Sequence, residues 1–186
     1  MRNALGVEFP GVFLVGSSLY DEPEAPEFSI TIAHETAHQW WYSVVGNDIF
    51  DSPWLDEGLT TYSSSLYYEF GRSPEFVRNL IDFWQQPYER MKTEGTDDQI
   101  TQSLGYFETL GNPGVYSGIV YYKAALFFHA LRQEIGDEAF FQALQNYYQA
   151  RKYGIAVPED LLAAFEEAAG RPLETFYKEW LYTPEK

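Results

Sequence analysis

Two histidines and two glutamates carry the chemistry most readily seen in this sequence. His34 and His38 bracket the string His34-Glu35-Thr36-Ala37-His38, and Glu57 follows nineteen residues after His38. On a helix, residues i and i+4 share a face, so both imidazoles can reach one ion. Glu35 then lies beside that ion without binding it, where a general base for an attacking water is needed. Glu57 supplies a third ligand. Three protein ligands leave a fourth position for water, the arrangement of a catalytic rather than a structural zinc. The absence of cysteine also argues against a closed structural site. These residues therefore predict a hydrolase built on one Zn2+ held by His34, His38 and Glu57, with Glu35 as base. The plain alternative is a helix whose histidines are only polar. It fits poorly beside Ile30, Ile32, Ala33, Ala37, Trp40, Trp41 and Val44, which predict a helix buried on more than one side. Unpaired polar groups in such a place are costly.

The elements that must position these groups follow from caps and breakers. The zinc helix is expected over roughly 27–45, after the acidic turn Asp21–Pro26. The connection through Gly46-Asn47-Asp48 and Asp51-Ser52-Pro53 turns the chain back, with Asp51 or Ser52 as cap of a helix over about 54–70. Glu57 falls in its first turns and returns towards the zinc helix. Gly11–Gly16 is the one convincing strand. Ser73-Pro74 reads as the cap and first residue of a helix to about 92. The polar run 93–101 reads as a mobile loop, and Gly111–Gly114 as a turn. Helices are expected at about 117–135, 137–151, 158–169 and 172–182, punctuated by Gly136, Gly154 and Gly170. The class is mainly α with a little β, in a single domain over 1–186, with no internal repeat.

His34-Glu35-x-x-His38 together with Trp54-Leu55-Asp56-Glu57-Gly58 resembles the gluzincin aminopeptidases, the family of membrane alanyl aminopeptidase and leukotriene hydrolase. The resemblance implies the helical portion of a thermolysin-like zincin catalytic domain and a zinc-dependent aminopeptidase acting on peptides with a free N-terminus. Leu5-Gly6-Val7-Glu8-Phe9 is similar to the family's Gly-Ala-Met-Glu-Asn segment, which assigns Glu8 to the substrate's α-amine. Tyr121-Tyr122-Lys123-Ala124 is similar to Tyr-Glu-Lys-Gly, which assigns Tyr121 to the oxyanion, with Tyr122 as competitor; Tyr116 matches a tyrosine of some members. Phe176-Tyr177-Lys178-Glu179-Trp180-Leu181 resembles the end of many family catalytic domains. The chain departs from the pattern at Leu5, Phe9, Tyr122 and Ala124, and at Ser64, where the family often has a carboxylate behind a zinc histidine. Another group must therefore orient His34 or His38. The resemblance further implies a catalytic domain shortened on its N-terminal side, with upstream domains of a parent protein absent.

Bulk properties narrow the alternatives. A formal charge of −16 argues against nucleic acid and anionic lipid as partners. No apolar run reaches the length of a membrane span. Lack of cysteine leaves the compartment open. A thermolysin-type endopeptidase shares the zinc motif but not the Glu8 and Tyr121 contexts. A non-catalytic scaffold is expected to have lost ligands, and here every ligand is present. His129 and Asp56 receive no role.

Overall fold

The computed structural model describes residues 5–71 and 74–184; the proposed cap at Ser73 lies outside them. The chain begins with an antiparallel hairpin, β1 (Gly6–Phe9) and β2 (Val12–Val15), paired from Gly6↔Val15 to Phe9↔Val12. Pro10 and Gly11 make its turn. Gly11 takes a φ of 82°, which a side chain would resist. The expected strand is thus β2, and the segment carrying Glu8 is its partner.

Helix α1 (Pro26–Ala37) starts with proline at its first position and carries His34 and Glu35. It stops well short of residue 45, and His38 is its C-cap. The tail leaves the helix because its backbone is engaged elsewhere. Tyr42 adopts a φ of 117°, and β3 (Val45–Asn47) pairs in parallel with β4 (Gly154–Ala156). Contrary to expectation, α1 is not buried on several sides. The helix α2, the hairpin and the 3-10 turn Ser17–Asp21 cover it, and its outward face, with Ile32 and Ala33, forms an open groove with the half-exposed Trp40.

Helix α2 (Trp54–Gly71) runs through the centre and is buried on nearly all sides. Its small polar residues are tolerated there because their hydroxyls bond back to the helix. Ser63, Ser64 and Ser65 donate to the carbonyls of Leu59, Thr61 and Tyr62. Helix α3 (Pro74–Glu94) packs on α2 and also supports the segment that carries Tyr121.

The stretch 93–101 is not a loose loop. Ile100 is fully buried, and its amide donates to the Leu181 carbonyl at 3.0 Å. Two short helices follow, α4 (Leu104–Leu110), which the sequence reading omits, and α5 (Pro113–Tyr116), capped by Asn112. A π-helical turn, Ser117–Lys123, leads into α6 (Ala124–Ile135), so the expected helix over 117–135 is of two kinds. Helices α7 (Asp137–Arg151) and α8 (Pro158–Ala169) lie where they are expected, and they pack against each other. α9 (Glu174–Tyr177) continues as a π-helical end, Lys178–Tyr182. The core runs from Trp54, Leu59 and Tyr62 of α2 to Phe127 and Phe128 of α6 and Phe140 and Phe165 beyond.

Candidate metal centre

Two elements, α1 with its C-cap and α2, bring three side-chain atoms to the same point. His34 Nε2 lies 3.1 Å from His38 Nε2 and 3.2 Å from Glu57 Oε2, and His38 Nε2 lies 3.3 Å from that oxygen. Ligands about 2.0–2.1 Å from a tetrahedral zinc stand roughly 3.3–3.4 Å apart, so the triangle fits that ion. Its electronic character fits as well. His38 Nδ1 sits 3.1 Å from the Trp41 carbonyl, which can only accept, so the hydrogen belongs on Nδ1. In neutral His38, Nε2 therefore presents a lone pair towards the Glu57 carboxylate. Lone pairs and an anion converging on one point require a cation.

The side chains that orient the histidines were not foreseen. Thr60 Oγ1 lies 3.2 Å from His38 Nδ1, and Thr61 Oγ1 lies 3.5 Å from His34 Nδ1. The two threonines thus stand beside the Nδ1 atoms of the two histidines, whereas Ser64 bonds its own helix. The signal was present, because Thr60 and Thr61 follow Glu57 by three and four residues and share its helix face.

Glu35 is buried, and its Oε2 has no hydrogen-bond partner. Burial pushes its carboxyl up to about 7; His38 opposes the shift, while Glu8 and Glu57 reinforce it. Burial alone would discharge His38, but hydrogen bonding and charge from Glu57 outweigh it and raise the imidazole to about 9. Burial of Glu57 is likewise outweighed by hydrogen bonds from both histidines, which hold it well below the usual carboxylate range. Burial and the neighbouring Glu57 raise Asp56 to about 7, against His38 and the hydrogen bond from Asn47.

Glu8, on β1, reaches the same place. Carboxylate oxygens of Glu8 and Glu35 and a ring nitrogen of His38 lie within 4.8 Å of one another. Tyr121 donates to Glu57 Oε1 at 2.7 Å and stacks 6.0 Å from His34. Burial and Glu57 hold its phenol well above 10. Tyr122 instead packs edge-on against Phe83, so of the two competing tyrosines Tyr121 stands at the ligands. Tyr116 lies behind it, with ring centroids 5.9 Å apart. Glu8, His34, Glu35, Glu57 and Tyr121 open on a cavity of about 630 Å³ whose far wall is apolar, with Phe76, Leu80, Phe83 and Trp84 of α3. His129 lies away from it, bonded to Gln133 on α6.

A model of the peptidase family M1 domain matches residues 10–180. The chain belongs to the M1 peptidase family. Among its M1 relatives, aminopeptidase N of Streptomyces lividans is 30% identical over 98% of this chain and 21% of that protein. Aminopeptidase N of Lactococcus lactis is 27% identical over 99% of this chain and 22% of its own length. This M1 chain therefore spans about a fifth of the length of the curated relatives it matches. An M1 zinc metallopeptidase mutant of Deinococcus radiodurans, solved with a Tyr-Ser-Ala substrate, superimposes with a TM-score of 0.71 at 22% identity, covering 97% of this chain and 37% of that one. Aminopeptidase A of Legionella pneumophila, solved with aspartic acid, gives a TM-score of 0.64 at 24% identity over 85% of this chain and 17% of that one. The mainly helical class with a little strand is the M1 metallopeptidase fold, and zinc is the metal that the family implies.

Proposed function

We propose that this chain is the zinc-holding part of an M1 aminopeptidase catalytic domain that removes N-terminal residues from peptides. The observation that carries the reading is the convergence of His34, His38 and Glu57 on one point, with Glu35 and Glu8 beside it. One Zn2+ on these three residues would polarise the scissile carbonyl and acidify the attacking water. Glu35 takes the proton from that water and delivers it to the leaving amine. Glu35 is buried beside the ligand atoms, and its Oε2 has no hydrogen-bond partner among the described residues, so it is placed to accept a proton and pass it on. Tyr121 stays protonated and donates to the oxyanion of the tetrahedral intermediate. Glu8 pairs with the substrate ammonium, which restricts cleavage to the first peptide bond. The apolar wall of α3 suits an uncharged side chain of the substrate. Residues 1–186 act as one domain in this reading, with other segments of the parent protein completing the cleft; the share of each relative that the chain spans supports this.

The test uses the full-length protein. Glu35→Gln should keep its zinc while turnover falls about 10²–10⁴-fold, the usual worth of a general acid–base group. Peptides with a free N-terminus should be cut and their N-acetylated forms spared. Equal cleavage of the two would defeat the aminopeptidase reading, and full activity of Glu35→Gln would defeat the mechanism.

A further inference from the structure

Behind Tyr121, on the side away from the cavity, a charged group is buried that the mechanism does not use. Lys123 is 1% exposed, and its Nζ donates to Asp97 Oδ1 at 2.8 Å and to the Asp98 carbonyl at 2.7 Å. The Asp97 side chain has no exposure at all. The receiving segment is itself fixed: the Asp98 carboxylate accepts from the Tyr106 hydroxyl and the Gln99 amide, and Ile100 is pinned to Leu181. Tyr121 and Lys123 lie two apart on the π-helical turn Ser117–Lys123. Helical residues two apart do not face each other. Tyr121 therefore reaches Glu57 while Lys123 reaches the opposite way into the protein. On the same turn, Gly118 lies so close to Met91 of α3 that a Cβ there would overlap its thioether.

A π-helical turn is an uncommon backbone state, found mostly as short insertions and frequently at functional sites. Strained or uncommon backbone persists where the surroundings over-determine it. A buried ion pair is a poor source of net stability, since desolvation offsets much of its attraction. What it does supply is a fixed point, because a lysine ammonium cannot leave a fully buried carboxylate without stranding a charge. Lys123 does not line the cavity, so it cannot act on substrate directly.

We propose that the Lys123–Asp97 pair is a positioning device for Tyr121: it holds the π-helical turn from behind and so sets where the Tyr121 hydroxyl stands. This rests on the function proposed above, and the experiment separates the two. In the full-length protein, Lys123→Met combined with Asp97→Leu removes the pair without leaving a lone buried charge. The Tyr121 ring is followed by 13C-tyrosine NMR of the zinc-free protein, with its line assigned from Tyr121→Phe. The Tyr121 line should shift or broaden in the double variant. With zinc restored, kcat should fall about tenfold or more, the scale expected for a displaced catalytic group, while KM changes much less. On a Tyr121→Phe background the same double substitution should cost almost nothing further, since the two perturbations act through one group. Lys123→Arg should recover most of the activity. If the double variant does not fold, Lys123→Gln combined with Asp97→Asn, which removes both charges and keeps the shapes polar, is measured in the same way. An unchanged Tyr121 line, or an equal loss of kcat with and without Tyr121, would overturn the proposal. A wild-type protein without aminopeptidase activity would defeat the functional reading and leave the Tyr121 line to decide this one.

Discussion

Gly58, the residue after the third ligand, allows a quantitative test of how packing sets the site. It sits inside α2 where that helix crosses the start of α6. A Cβ built on Gly58 would lie 2.5 Å from the Ala124 Cβ, and 3.5 Å from the Ala124 carbonyl carbon and from the Phe128 ring. Two methyl carbons pack at about 3.5–4.0 Å, so Gly58→Ala forces the helices apart by about 1 Å. Neither wall can yield alone, because Ala124 and Phe128 are fully buried. Overpacking of this kind costs about 1–3 kcal/mol, while alanine in a helix interior gains about 1 kcal/mol over glycine. The net expectation is a loss of up to about 2 kcal/mol, or a fall of up to about 8 °C in Tm at this chain length. The same crossing is spanned by the 2.7 Å hydrogen bond from Tyr121 to Glu57, so kcat should fall together with Tm. Adding Ala124→Gly moves the missing methyl to the other helix and should restore both quantities, with a coupling energy of about 1–3 kcal/mol. Calorimetry and steady-state kinetics on the two single variants and the double decide it. A Gly58→Ala protein that melts above wild type would show that helix propensity wins and that the crossing is not tight, and failure of Ala124→Gly to rescue would refute the geometry.

Thr60→Val keeps the shape beside His38 but removes the hydroxyl 3.2 Å from Nδ1. Zinc affinity should drop about 10-fold to 100-fold, as for other groups that orient a ligand, and a chelator competition measures it; unchanged affinity would leave the Trp41 carbonyl as the only group that matters. Zinc affinity should also depend on pH. His38 is held near 9 in the metal-free chain and must lose its proton to bind metal. Affinity should therefore rise up to about tenfold per unit between pH 7 and 9, and more steeply below 7, where Glu35 and Asp56 also shed protons. Calorimetric titrations in buffers of different ionisation heat count the protons released, and a count of zero at pH 7.5 would contradict the raised His38. The stability of the metal-free protein should move the other way. His38 is raised from 6.5 to about 9, so its contribution is complete below 6.5 and lost as pH rises to 9. Glu35, raised from 4.5 to about 7, favours the fold at low pH and loses that contribution through 7. Chemical denaturation after chelation should therefore give lower stability at pH 9 than at 6.5, and a rise over that range would refute both shifts.

The grouping of His34, His38 and Glu57 was legible because it depends on local rules. The i, i+4 spacing of His34 and His38 and the turn-and-return to Glu57 are written in periodicity and caps, and α2, α7 and α8 fall where their apolar patterns place them. What failed to show depends on partners far away in sequence. α1 ends near His38 without a glycine or proline to mark the stop, because residues 45–47 are drawn into a parallel pair with 154–156. β1 is hidden because four residues are too short a run to mark a strand by alternation, and its partner is the strand that follows. The polar composition of 93–101 suggested a free loop. Its aspartates are in fact partners of Lys123, twenty-five or so residues away, and a buried cation can be predicted only once its carboxylate is known to be near. Thr60 and Thr61 had a usable signal in their spacing from Glu57, but threonine is too common a helix neighbour to stand out.

Charge explains why these parts hold together before any metal arrives. Glu8, Glu35, Asp56 and Glu57 surround the two histidines, and four ionised carboxylates so close in a buried place would repel one another strongly. The chain relieves that repulsion with protons: one on His38, which Glu57 holds by hydrogen bond and charge, and partial protonation of Glu35 and Asp56 near neutrality. A divalent ion at the His34–His38–Glu57 point does the same work more strongly and makes those protons unnecessary. In the proposed function, a substrate ammonium beside Glu8 would add a further positive charge. Because the ligand atoms already stand 3.1–3.3 Å apart, metal uptake exchanges cation for proton and requires little movement of α1 or α2. Zn2+ held by His34, His38 and Glu57 would take the place of the His38 proton. In the proposed mechanism Glu35 would then be the carboxylate that accepts a proton from water, and Glu8 the one that pairs with an N-terminal amine.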